Sequence, residues 1–131
     1  MSIKEFAEKF IKTEDEAWQK GNFNALEALE DPNVVYHVAP LPDMVRWEAH
    51  KKYIMDARQG FPGIKQDWKY LTGEGNLFAL SYKSRGIFTG KVSGFPPPTG
   101  KEVTSDYLCL FHLKNGRIIE SWMYGTTTGL F

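Results

Sequence analysis

Val103-Thr104-Ser105-Asp106-Tyr107-Leu108-Cys109-Leu110-Phe111-His112-Leu113, then Lys114-Asn115-Gly116-Arg117, then Ile118 to Thr127, is the stretch that decides the class of the fold. Two β-branched and aromatic runs on either side of an Asn-Gly pair read as an antiparallel hairpin with a tight turn. Side chains alternate along a strand. Thr104, Asp106, Leu108, Leu110 and His112 therefore share one face, and Val103, Ser105, Tyr107, Cys109, Phe111 and Leu113 share the other. Working back toward the N-terminus, Leu77 to Thr89 and Lys65 to Thr72 are strand-like as well and are joined by Gly73-Glu74-Gly75-Asn76. Gly90 to Gly100, with three consecutive prolines, is too short for an interdomain linker and reads as a rigid loop beside the sheet.

Ahead of these strands the period changes to that of a helix. Ile3, Phe6, Ala7, Phe10, Ile11, Ala17 and Trp18 form an apolar stripe over residues 2–20, with Ser2 as cap and Gly21 as stop. A shorter helix opens near Asn22 and runs from Phe23 to Leu29, ending at Asp31-Pro32, and Val34 to Val38 reads as a first strand. Trp47, His50, Tyr53, Ile54 and Ala57 are spaced as a third helix over residues 47–59, closed by Gly60-Phe61-Pro62-Gly63. Helices first and long strands afterwards is the α+β order, with helices on one face of a mostly antiparallel sheet.

The 131 residues suit a single domain spanning 1–131. A composition 42% hydrophobic and 15% aromatic argues against disorder, and no apolar run is long enough for a membrane span. Lys plus Arg balances Asp plus Glu at 16 each, which gives no basic face for nucleic acid. The single Cys109 rules out an intrachain disulfide, and the start MSIKEFAEKF lacks the apolar stretch of a signal peptide, so a cytoplasmic location is expected. There is no Gly-rich phosphate loop, no nucleophile elbow and no cysteine beside a base.

Gly86-Ile87-Phe88-Thr89-Gly90, Gly94-Phe95-Pro96, Pro98-Thr99-Gly100-Lys101 and Asn115-Gly116-Arg117-Ile118-Ile119-Glu120-Ser121-Trp122 together resemble the signature of the SnoaL-like polyketide cyclase family. Ala17-Trp18, Gly21-Asn22-Phe23 and Val34 to His37 resemble its first helix, turn and strand. The resemblance implies the cone-shaped NTF2-like fold, in which a strongly curved sheet and N-terminal helices enclose an apolar pocket. It also implies a homodimer through the outer sheet face and cofactor-independent aldol chemistry at a carboxylate. Gly86, Gly90, Gly94 and Gly100 are the places where such a sheet can kink or bulge. The family's usual pieces are Gly-Thr-His-Thr-Gly and a tryptophan followed four residues later by aspartate. Here Phe88 stands for that histidine and Thr126 for that aspartate, and neither side chain is a base near neutral pH.

The expected acid/base pair is His112, fourteen residues before Thr126 as in the family pattern, with Asp106 on the same strand face as a replacement carboxylate. Trp18, His37, Phe88, Trp122, Tyr124 and Thr126 are the expected pocket wall, and no metal or other cofactor is expected. His50, beside Lys51 and Lys52, reads as part of a solvated helix face. The expected ligand is a small apolar or aromatic molecule. Two functions follow: an enzyme of cyclisation, isomerisation or hydration on an aromatic or polyketide-like substrate, and a non-catalytic binding module that has lost its base. A carboxylate entering the pocket would favour the enzyme.

Overall fold

The first helix, α1 (Ile3–Lys20), starts where Ser2 Oγ accepts from the Glu5 backbone N–H and the Glu5 carboxylate accepts from that of Ser2. It stops at Gly21, whose φ of 70° only glycine adopts without strain. A computed structural model describes all residues, Met1–Phe131. After α1 come α2 (Asn24–Leu29), β1 (Glu30–Val38), β2 (Met44–Val45), α3 (Trp47–Gly60), β3 (Lys65–Glu74), β4 (Leu77–Ile87), β5 (Glu102–Lys114) and β6 (Arg117–Thr128). No helix is long and apolar enough to cross a membrane.

The six strands form one open sheet in the order β2-β1-β6-β5-β4-β3. The β3–β4 and β5–β6 hairpins close with two-residue loops, the second on Asn115 and Gly116, both at positive φ. Two features depart from the sequence reading. Strand β1 begins at Glu30 and carries Pro32 inside it, where a register shift against β6 between Glu30 and Val35 accommodates the missing N–H. It pairs with β6 in parallel, and the two-residue β2 adds an edge.

Alternation places Phe78, Leu80 and Tyr82 of β4, Tyr107, Cys109 and Phe111 of β5, and Val34, Tyr36 and Val38 of β1 on the face covered by α1 and α3. Phe10, fully buried, meets Phe111 edge-on at 4.9 Å between ring centres, and Phe111 stacks on Phe78 at 4.8 Å. Burying each such ring contributes about 1.5–3 kcal/mol, enough to fix which face the helices cover. Phe61, Phe88, Val92 and Val103 make a separate small cluster under the proline loop. At Gly90 a Cβ would come within 2.5 Å of the Gln59 carbonyl oxygen, so only glycine lets this loop lie against the end of α3. The opposite, convex face leaves Leu108, Leu110 and Tyr124 exposed.

Candidate functional site

Between the concave face and the helices lies a cavity of about 220 Å³ with a mainly apolar and aromatic lining. Its chemistry is concentrated in one buried cluster drawn from three elements. Glu14 and Trp18 are one turn apart on α1, Glu30 and Tyr36 come from β1, and His50 comes from α3. The His50 imidazole stands between the two carboxylates. Its Nδ1 lies 2.9 Å from Glu30 Oε2 and 3.1 Å from Oε1, and its Nε2 lies 3.9 Å from Glu14 Oε1. Tyr36 donates its hydroxyl to Glu30 Oε2 at 2.8 Å, and Trp18 donates Nε1–H to Glu14 Oε2 at 2.9 Å. Glu14, Trp18, Tyr36 and His50 line the cavity, while Glu30 stands behind His50.

Burial decides the charge states. Loss of water raises the Glu14 carboxyl to about 7, against the opposing pull of the His50 charge and with the Glu30 charge adding to the rise. For His50, burial works against the charged ring, but the Glu30 charge and hydrogen bond together with the Glu14 charge outweigh it and the pKa is raised. Burial and the neighbouring carboxylates push the Tyr36 phenol well up, so it remains a neutral donor. Near neutral pH a proton can therefore reside on the Glu14 carboxyl or leave it at little cost, beside an imidazole whose charged form is favoured by its carboxylate neighbours. One atom each of Glu14, Glu30 and His50 lies within 4.8 Å of the others, a spacing a cation can use, but a cation bridging His50 Nδ1 and Glu30 would have to displace the hydrogen bond that now joins them.

Of the eight residues expected at the site, Trp18 alone lines the cavity. Asp106 and His112 do share a strand face, but it is the convex one, because Phe111, Cys109 and Tyr107 hold the alternate face against the helices. Asp106 stands opposite Lys83 and Thr126 at the surface. The same alternation turns Trp122, Tyr124 and Thr126 outward and sends Met123 and Thr127 into the cavity. His37 also points outward. It stacks on Trp122 at 5.7 Å and bonds through Nε2 to Glu120 at 2.6 Å and through Nδ1 to Asp43 at 2.9 Å, and these two hydrogen bonds raise its pKa. Phe88 is fully buried away from the cavity, stacked on Phe61 at 4.9 Å.

Sequence reasoning passes over Glu14 and Glu30 and places His50 in solvent. The signal is nevertheless present in the spacing. Glu14 falls four residues from both Phe10 and Trp18 on the apolar stripe, and His50 belongs to the stripe of Trp47, Ile54 and Ala57. A charged residue on a buried stripe has to be paired, so helical spacing by itself can mark such positions as candidates.

The family model described as SnoaL-like polyketide cyclase matches residues 8–131. No curated protein matches the chain. Among solved structures, IdmH from Streptomyces antibioticus, described as a candidate polyketide cyclase, is 23% identical with a TM-score of 0.67, covering 92% of this chain and 91% of its own. AclR from Streptomyces galilaeus, described as a candidate hydroxylase, is 18% identical with a TM-score of 0.70, covering 94% and 87%. An NTF2-like protein from Anabaena variabilis is 14% identical with a TM-score of 0.73, covering 95% and 90%. These likenesses agree with the α+β, NTF2-like architecture described above, and the match over nearly the whole length means that the chain belongs to the SnoaL-like polyketide cyclase family.

Proposed function

We propose that the protein is a small-molecule enzyme working by acid/base chemistry without a cofactor, and that Glu14, not the outward-facing Asp106 or His112, is its proton-transferring group. One observation carries this reading: a carboxyl raised by burial to about 7 stands in the wall of a mainly apolar cavity, held by Trp18 Nε1–H and facing the His50 imidazole. A base works best when its pKa lies close to the working pH, and burial has moved Glu14 there. The Glu14 carboxylate takes a proton from a carbon next to a carbonyl, leaving an enolate on the substrate and a carboxylic acid on Glu14. In a cyclisation the enolate carbon then attacks a second carbonyl of the same molecule, and the resulting alkoxide takes the proton back. Nothing is lost or gained. In an isomerisation there is no attack on a second carbonyl, and the proton on Glu14 returns instead to a different atom of the enolate. Glu30 and Tyr36 act through His50 as positioning residues.

The test is exchange of α-hydrogens of 1,3-dicarbonyl compounds in D₂O, followed by proton NMR. The wild type should accelerate exchange, with the rate rising as pH passes about 7, and Glu14→Gln should reduce it by about 10²–10⁴-fold. Undiminished exchange in Glu14→Gln contradicts the assignment, and ligand binding with no exchange in the wild type returns the protein to the binding-module reading. The proposal extends to a homodimer: a second copy covering Leu108, Leu110, Trp122 and Tyr124 would remove the apolar convex patch from water. Sedimentation at micromolar concentration should show that dimer, and a monomer there ends this part.

A further inference from the structure

One row of residues crosses the concave face unlike any other. Pairing places Gln66 opposite Ser84, Ser84 opposite Ser105 and Ser105 opposite Thr127, so β3, β4, β5 and β6 each contribute a polar, uncharged side chain at the same level. The next level along these strands is Trp68, Tyr82 and Tyr107. Ser84, Ser105 and Thr127 line the cavity, and Ser105 is six residues along β5 from Phe111, which stands level with Tyr36. An apolar cavity gains nothing from hydroxyls in its wall unless something bonds to them, because each one left without a partner costs free energy.

The hydrogen bonds leave room for such a partner. Tyr107 Oη lies 2.6 Å from Thr127 Oγ1 and 3.3 Å from the Ala39 carbonyl, and Thr127 Oγ1 lies 3.3 Å from Ser105 Oγ. If Tyr107 donates to Ala39, Thr127 donates to Tyr107 and Ser105 to Thr127, which leaves the Ser105 lone pairs open. If Tyr107 donates to Thr127 and Thr127 to Ser105, the Ser105 O–H is open instead. Ser105 can thus donate to a carbonyl or accept from a hydroxyl. Gln66 spends its Nε2 on Tyr82 Oη at 2.8 Å while its buried Oε1 has no partner, so the same row has unused acceptor capacity at its other end. No Lys or Arg lines the cavity, and its charged residues are Glu14 and His50, so an anionic ligand would lose its hydration with no unpaired cation to meet it.

We infer that Ser84, Ser105 and Thr127 are the specificity-determining residues of the cavity, and that they select an uncharged small molecule carrying hydroxyl or carbonyl oxygens at the end remote from the Glu14 cluster. The inference rests on the cavity being the ligand site of the proposed enzyme. It differs from that proposal in concerning binding rather than proton transfer.

The experiment measures binding of naphthalene, 2-naphthol and 2-naphthoate by quenching of the tryptophan emission, since Trp18 and Trp68 line the cavity. The wild type should bind 2-naphthol about ten-fold more tightly than naphthalene, as one added hydrogen bond of about 1.4 kcal/mol requires, and 2-naphthoate most weakly. Ser84→Ala, Ser105→Ala and Thr127→Val combined should abolish the preference for 2-naphthol and leave naphthalene binding in place. Should that variant not fold, the backbone amide NMR signals of Ser105 and Thr127 in the wild type should shift on addition of 2-naphthol and not of naphthalene. Equal binding of naphthalene and 2-naphthol, tighter binding of 2-naphthoate, an unchanged preference in the triple variant, silent Ser105 and Thr127 amides, or no binding of any probe at about 1 mM would each overturn the inference. Glu14→Gln should retain the preference for 2-naphthol while losing α-hydrogen exchange, which separates failure of this inference from failure of the catalytic assignment.

Discussion

Two histidines of this protein are each held between two carboxylates, one on either side of the sheet. On the concave side His50 stands between Glu30 and Glu14, and on the convex side His37 stands between Glu120 and Asp43. The residue types are alike, and His37 makes the shorter contacts. Burial separates them. His37 and its partners reach solvent, so each proton has an inexpensive alternative in water, whereas Glu14, Glu30 and His50 are sealed between the helices and the sheet. Only in the sealed cluster is a carboxyl pushed to about 7, and that shift rather than the histidine makes a proton mobile near neutrality.

The largest expected effect is on stability. Glu30→Ala removes the countercharge of His50 and the acceptor of the Tyr36 hydroxyl, both buried, and should cost about 3–5 kcal/mol in chemical denaturation. Glu120→Ala removes the equivalent partner of His37 and should cost no more than about 1 kcal/mol, because water replaces it. Similar losses for the two variants would erase the distinction between the faces.

A smaller effect sharpens it through pH. Glu14 and His50 both have folded pKa values above their unfolded ones, so the folded chain holds more protons and stability falls as pH rises. For Glu14 the fall starts near its ordinary 4.5 and is complete above about 7. At about 1.36 kcal/mol per unit this amounts to about 3 kcal/mol. His50 contributes stability that is full below 6.5 and lost as pH climbs through its raised value, and His37 behaves with the same sign. Denaturation midpoints of the wild type should therefore drop between about pH 5 and about pH 8.5. In Glu14→Gln the drop should shrink, with the shares of His50, still raised by Glu30, and of His37 remaining. Parallel curves for wild type and variant would show that Glu14 titrates as an ordinary surface acid.

Much of the architecture is legible in the sequence because it depends on local chemistry. The apolar stripe from Ile3 to Trp18, the Ser2 cap, the Gly21 stop and the Asn115-Gly116 turn each act through neighbours a few residues away, and each sits in the structure where its chemistry puts it. Period two along Val103 to Leu113 separates the two sets of side chains correctly. It carries no sign, and choosing the pocket face by its histidine and aspartate selects the convex set. Phe111, Cys109 and Tyr107 outweigh Leu110, Leu108 and Asp106 as the more buriable set, so weighing apolar bulk ahead of chemistry turns Asp106 and His112 outward. Thr126 and Thr127 show how sharp this is: the carboxylate position given by the resemblance faces solvent, and its neighbour faces the cavity. The parallel pairing of β1 with β6 and the Glu14–His50–Glu30 cluster unite residues from separate elements. No local spacing encodes them.

The most direct test is a pH titration of the glutamate side-chain carboxyl signals by ¹³C NMR, with Glu14 assigned by its disappearance in Glu14→Gln. The Glu14 signal should titrate at about 7, and its midpoint should move when His50 is replaced by glutamine. A Glu14 signal titrating near its ordinary 4.5, indifferent to His50, would contradict it.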